Sequence, residues 1–271
     1  MTVTTPTPTR RRRTDLAAVP IGPIVGAMVR RQLNALRRIP SAIGPILVMP
    51  IFFMIAFAGS YSAIVNIPGF PTDNILSWFV PYACVQGAAF SGIGTGFSTA
   101  RDLENGFYDR LLLTPAHRSV LIAAPMANSF IRASFPLVTV LPLGLILGAD
   151  TPGLIGLFVL VLAAAGVSCL SGLWALGVVF RMQTQRSLGL VQVGIFATLF
   201  LSIGQVPLAV MDGWLHTAAR FNPTTNILRM ARQGFLGEVT WAVTWPGLVA
   251  LAGMGLVLGI FAGTGLRRVQ T

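Results

Sequence analysis

The stretch that decides the fold is GLIGLFVLVLAAAGVSCLSGLWALGVVF, residues 153–180, which holds no charged side chain and is followed at once by Arg181. About 20 apolar residues in helical conformation cross the hydrocarbon layer of a membrane, so this run reads as a transmembrane helix. Outward from it, comparable apolar runs occur at about 42–65, 75–99, 120–148, 188–207 and 242–266. Several contain proline (Pro45, Pro50, Pro81, Pro125, Pro136, Pro142), which membrane helices tolerate because neighbours satisfy the freed backbone groups. The composition agrees: of 271 residues, 54% are hydrophobic and only 10% charged, against roughly a quarter charged in soluble domains. The predicted fold is an all-α membrane protein with six transmembrane helices, and little of the chain is left for a folded soluble domain.

The net charge of +11 comes from 19 arginines against 8 acidic residues, with no lysine anywhere. A nucleotide-binding loop of the Gly-Lys-Ser/Thr kind needs a lysine on the phosphates, so the chain has no ordinary ATPase site of its own. The arginines flank apolar runs and show no nucleic-acid-binding motif; they read as orientation signals. With the N-terminus inside, eight arginines precede the first span. Arg101, Arg110 and Arg118, then Arg181 and Arg186, then Arg267 and Arg268 also fall inside, while Arg220, Arg229 and Arg232 fall outside. Both termini are therefore expected in the cytoplasm.

Residues 1–23 carry Arg10-Arg11-Arg12-Arg13 among Thr and Pro and are expected to be a disordered basic cytoplasmic tail, serving as a topology signal or touching anionic lipid. The following apolar residues superficially resemble a secretory signal, but Pro20 and Pro23 interrupt them and Arg30-Arg31 stand where a cleavage site would be. Over 24–40 the arginines recur at helical spacing opposite Leu33, Leu36 and Ile39, which predicts an interfacial amphipathic helix on the cytoplasmic surface. Residues 41–271 form the six-span domain.

Two connections carry more than a turn needs. Between spans two and three, RDLENGFYDRLLLTP (101–115) mixes charge with Leu103, Phe107 and Leu111 at helical spacing, predicting a short helix along the membrane that offers a docking surface. Between spans five and six, residues 208–240 are too long for a turn and too apolar for a loose loop, with Trp214-Leu215 and Ile227-Leu228-Arg229-Met230 around Asn222-Pro223. They predict two short helices dipping back into the outer leaflet.

These features together resemble the permease subunits of ABC-2 type exporters, and within them the actinobacterial daunorubicin-resistance permeases. The resemblance extends over about residues 25–268 and is most specific at Glu104-x-Gly106…Arg110-Leu111-Leu112…Thr114-Pro115. It implies two cytoplasmic ATPase subunits that bind ATP and Mg, a second permease chain, the same or related, and outward movement of hydrophobic or amphipathic drugs, antibiotics or lipids by alternating access. On this sequence it implies that Glu104, Gly106, Phe107, Arg110, Thr114 and Pro115 couple to the ATPase, and that Trp214, Asn222 and Pro223 belong to an outer gate. The family often has Thr, Leu and Glu after the glycine, whereas here Phe107-Tyr108-Asp109 follow.

Within the spans, Gln86, Asn128, Arg132 and Gln192 are the candidate pathway residues. Arg132 has no intramembrane carboxylate to pair with, and two readings of it stand side by side. In one it faces the interior with Asn128 and Ser129 and meets a substrate phosphate, carboxylate or polar head; in the other it caps carbonyls or snorkels to the cytoplasmic surface. The glutamines are more simply helix-to-helix hydrogen bonders. Gly92 and Gly96, and Gly255, Gly259 and Gly263, mark close helix packing, within or between chains. Cys84 and Cys169 read as small apolar side chains, and His117 and His216 as surface histidines; no cysteine or histidine cluster suggests a metal. Intramembrane carboxylates and internal repeats, which an ion-coupled secondary transporter commonly needs, are absent from the sequence; that class is the alternative to an exporter.

Overall fold

The computed structural model describes residues 21–38, 44–113 and 117–269. Residues 1–20 of the tail expected at 1–23, and the coupling candidates Thr114 and Pro115, lie outside them, while residues 21–23 of that tail are helical. All regular structure among the described residues is helical. In chain order the helices are α1 (Ile21–Arg38), α2 (Gly44–Ser60), α3 (Ile75–Glu104), α4 (Phe107–Leu112), α5 (Val120–Arg132), α6 (Ser134–Ile146), α7 (Gly153–Met182), α8 (Leu188–Phe200), α9 (Gly213–Phe221), α10 (Pro223–Leu236) and α11 (Trp241–Val269). The amphipathic first helix thus starts at Ile21, before the expected 24, because a proline such as Pro23 is accommodated in a first turn, where its missing N–H is not needed.

Among the described residues, three segments are long and apolar enough to cross a membrane: Val120–Ile146, Gly153–Met182 and Trp241–Val269. Within the third predicted span the helical hydrogen bonding is interrupted at Ala133, between α5 and α6, where Pro136 has no N–H for the Arg132 carbonyl and Ala133 itself keeps right-handed helical angles. The fifth predicted run, 188–207, is helical only to Phe200, giving α8 a length of roughly 20 Å, and continues as turns.

The axis of the bundle is α3 against α7. Most of α3 from Ser77 to Gly92 is buried, and its small residues set the spacing. A methyl group at Gly92 would stand 2.1 Å from Ser171 Oγ and 2.6 Å from the Gly172 nitrogen, and one at Gly96 would stand 2.9 Å from Ala175 Cβ. The glycine spacing on span two therefore serves packing within the chain. Around this pair, α10 closes on α7 where Gly234 meets Gly156, and α11 closes on α7 where Phe261 fills the space at Gly177. Gly259 and Gly263, by contrast, have nothing within 4 Å. Helix α2 packs Phe57 against Phe79 of α3 at 5.7 Å, and α8 sets Phe196 against Phe90 of α3 at 5.2 Å.

The two ends of the bundle differ. At one, Glu104, α4, the start of α5 and the end of α7 gather around Tyr108, Leu121, Leu176 and Phe180. At the other, Asn74 caps α3 by accepting from the Leu76 N–H at 3.1 Å and donates to the Gly148 carbonyl at 2.8 Å, while Ser77 donates to Asp150 at 2.7 Å.

Candidate functional site

At the Glu104 end, α3 stops because Asn105 and Gly106 break it: Gly106 takes a left-handed conformation with φ 64°, which suits glycine, and α4 begins at Phe107. Leu103, Phe107 and Leu111 therefore do not form one stripe on one helix. All three pack inward, Phe107 and Leu111 against Met28 of α1 and Val120 and Ala124 of α5. The apolar stripe expected as a docking surface is used to hold the segment on its own chain. The surface left outside is polar, with Glu104, Asn105, Asp109 and Arg110 exposed and Leu113 the one large apolar side chain at its rim, 88% exposed.

Two clamps fix this segment. Arg31 of α1 binds Asp102 through both guanidinium nitrogens and lies 4.0 Å over the Phe107 ring. Glu104 accepts from the backbone N–H of Gln185 at 2.8 Å and from the Gln185 side-chain amide, joining α3 to the α7–α8 connection. These hydrogen bonds to Gln185 hold the Glu104 carboxyl below its ordinary titration range. Neither Arg31 nor Asp102 nor Gln185 was a sequence candidate; reciprocal contacts across 71 and 81 residues leave no local signature.

In the interior, Asn128, Ser129 and Arg132 share the buried face of α5. The Ser129 hydroxyl donates to the Ser168 carbonyl at 2.8 Å and lies 3.1 Å from the Ser168 hydroxyl, which is itself 2.5 Å from that of Ser91, so one hydroxyl from each of α5, α7 and α3 meets at a point. Asn128 is fully buried and neither its Oδ1 nor its Nδ2 has a partner; Arg132 is 5% exposed and its Nε has none. Next to Arg132, Ala133 packs on Ala88, near the middle of α3 and roughly 20 Å from either end. At that depth the Arg132 Nε is enclosed by the bundle. The other two pathway candidates stand apart. Gln86 is buried with both amide atoms unpartnered, but it lies about 200° around α3 from Ala88, on the side between Tyr82 and Phe90. Gln192 is exposed on the free face of α8.

At the far end, Asn222 joins two helices at once. Its Oδ1 accepts from the Thr224 N–H at 2.9 Å, capping α10 with Pro223 in the first helical position, and its Nδ2 donates to the carbonyls of Thr198 at 2.7 Å and Leu201 at 2.9 Å, where α8 ends. Arg232, placed by the sequence reading in an outer loop, is instead buried at 1% exposure. It donates to the carbonyls of Trp78 (3.1 Å), Ile203 (2.7 Å) and Gly204 (2.5 Å) and stacks 3.7 Å over the Trp78 ring. Trp78 Nε1 in turn donates to the Gln205 carbonyl at 3.1 Å. The turns after α8 are thus tied down by Asn222, Arg232 and Trp78. The signal for Arg232 was present: Thr225, Leu228, Arg232 and Phe235 share one helical face. Trp214 is 74% exposed on α9 and takes no part in this lattice. Arg232, Arg229, Gln233 and Glu238 line an open cavity of about 520 Å³ with Trp78 and Leu236, and Trp214 is not part of its wall.

Most of the chain is similar in sequence to known proteins. The family model described as ABC-2 type transporter matches residues 24–236, from α1 to the end of α10. The chain is 28% identical over 240 residues to the daunorubicin resistance ABC transporter permease protein DrrB1 of Streptomyces coeruleorubidus, covering 86% of this chain and 81% of that protein. It is 27% identical over 186 residues to the probable multidrug ABC transporter permease YbhR of Escherichia coli K12, covering 66% of this chain and 50% of that one.

Proposed function

We propose, from the premise that this chain belongs to the ABC-2 type transporter family and is one of its permease subunits, that it forms the membrane pathway of an ATP-driven exporter in a bacterial plasma membrane. ATP is hydrolysed by a separate subunit. The cargo is a hydrophobic or amphipathic drug, antibiotic or lipid. Six spans are formed by α2, α3, α5 with α6, α7, α8 with the turns that follow it, and α11, and both termini are cytoplasmic. The short α8 is consistent with this count, because non-helical backbone is tolerated at membrane depth only where protein satisfies it, and Asn222, Arg232 and Trp78 supply the donors.

The observation that carries the reading is the state of the segment around α4. Its apolar side chains are spent on the chain itself, and its polar face, Glu104, Asn105, Asp109 and Arg110, is exposed at the cytoplasmic end. Arg31–Asp102 and Glu104–Gln185 tie that face rigidly to α1, α3 and the α7–α8 connection, so a push from a docked ATPase subunit is passed to three places in the bundle. Two permease chains with two ATPase subunits alternate between inward and outward access. Asn222, Pro223 and Trp214 belong to the outer gate, while Asn128 and Arg132 line the pathway. Co-expression with ATPase subunits followed by purification in lipid tests this: the account expects a stable complex that loses ATPase stimulation when Asp109 and Arg110 are both changed to alanine. A chain that purifies alone with every ATPase tried contradicts it.

A further inference from the structure

The described residues bury two arginines, Arg132 and Arg232, and only one of them is satisfied. Arg232 hands its donors to three carbonyls and an aromatic face. Arg132, at mid-bundle, has an unpartnered Nε, and one helical turn before it the fully buried Asn128 has both a donor and an acceptor unpartnered. The Ser129 hydroxyl donates to the Ser168 carbonyl and to neither of them. No aspartate or glutamate is among the buried side chains of the described residues, so the interior offers a cation and an amide but no counter-charge. A buried arginine in such surroundings is costly unless an anion or ordered acceptors meet it, and guanidinium matches the geometry of phosphate and carboxylate oxygens.

We infer that Asn128 and Arg132 together form a binding site for the single anionic group, phosphate or carboxylate, of an amphipathic substrate, with Arg132 supplying charge-assisted donors and the Asn128 amide a further donor. The inference rests on the exporter reading and narrows it: the chain selects anionic over cationic amphiphiles. A cationic amphiphile would bring its charge beside Arg132 with no buried carboxylate to receive it.

The test uses the permease–ATPase complex in lipid vesicles with two fluorescent probes of equal tail length, an alkyl phosphate and an alkyl trimethylammonium, read both as ATP-dependent transport and as binding by fluorescence anisotropy. Wild type is expected to prefer the phosphate by about tenfold or more, the scale of one charge-assisted hydrogen bond. Arg132→Gln abolishes the preference by lowering binding and transport of the phosphate probe, and Arg132→Lys retains part of it. Should Arg132→Gln not assemble, Asn128→Ala, which keeps the charge, carries the same comparison with a smaller loss. Competition by inorganic phosphate at similar concentration assigns the site to free anions; no competition assigns it to the amphiphile's headgroup. Equal handling of both probes by wild type, or an undiminished preference in Arg132→Gln, overturns the inference. A complex that hydrolyses ATP and moves neither probe contradicts the exporter reading, and the anisotropy measurement then decides the anion site independently.

Discussion

Asn222 accepts from the Thr224 N–H with one side-chain atom and donates to the Thr198 and Leu201 carbonyls with the other, so a single amide closes the end of α8 and opens α10. An aspartate can do only the first of these jobs. Asn222→Asp is therefore expected to preserve α10 but to set a carboxylate against the two carbonyls, lowering the thermal stability of the detergent-solubilised chain more than Asn222→Ser does. Equal stability for the two variants, measured by the melting of purified protein, would mean that the bonds to α8 contribute nothing.

Arg232 supports the same turns from the other side. Removing its side chain leaves the carbonyls of Trp78, Ile203 and Gly204 without these donors, at about 1–3 kcal/mol for each that water cannot reach. Arg232→Met is expected to reduce the folded yield severely, and Arg232→Lys to recover little, because an ammonium cannot span three carbonyls while stacking on Trp78. Normal yield and melting for Arg232→Met would show that the stacking and hydrogen bonds are incidental.

The α3–α7 contact has no room. At Gly92 a methyl group would lie 2.1 Å from Ser171 Oγ and 2.6 Å from the Gly172 backbone, so Gly92→Ala forces the helices apart. At Gly259 nothing stands within 4 Å, and Gly259→Ala is expected to be neutral in this chain taken alone. Comparing the melting of the two variants checks this, and a loss at Gly259 confined to the assembled complex would locate a second chain against α11.

The Glu104 clamp gives a pH expectation. Its hydrogen bonds to Gln185 lower the folded titration range of the carboxyl below that of an unfolded chain, so the contact is fully present above the ordinary carboxylate range and is lost as pH falls through the lowered value. Coupling between ATPase activity and transport is expected to show no inflection from Glu104 between about pH 5.5 and 8. Glu104→Gln, which keeps an acceptor for the Gln185 N–H, is expected to retain more coupling than Glu104→Ala. The ratio of transport to ATP hydrolysed in the two variants is the readout.

Much of this molecule was legible in its sequence, and the failures share a cause. The uncharged run 153–180 announced α7, and Asn222-Pro223 announced the start of α10, because helix caps and apolar length are local properties. The stripe of Leu103, Phe107 and Leu111 was visible too, but whether a stripe faces a partner or the chain's own core depends on α1 and α5, which arrive from elsewhere. Arg232 was lost because charge counting treats every arginine outside an apolar run as solvated, whereas three carbonyls and an indole were waiting for it. Arg132 stood out in the sequence as a charge inside an apolar run with no carboxylate to pair with, and Asn128 by its place one turn before it; the fold added their burial and their unpartnered atoms, which no local pattern contains.

The most direct test of the account is transport in proteoliposomes holding the purified chain together with its ATPase subunit, with an amphipathic fluorescent substrate and no ion gradient. The account predicts uptake into inside-out vesicles that requires ATP and Mg, stops when ATP is replaced by a non-hydrolysable analogue, and falls sharply with Asp109→Ala/Arg110→Ala in the permease. Uptake driven by a proton or sodium gradient without the ATPase subunit would contradict it and make the chain a secondary transporter.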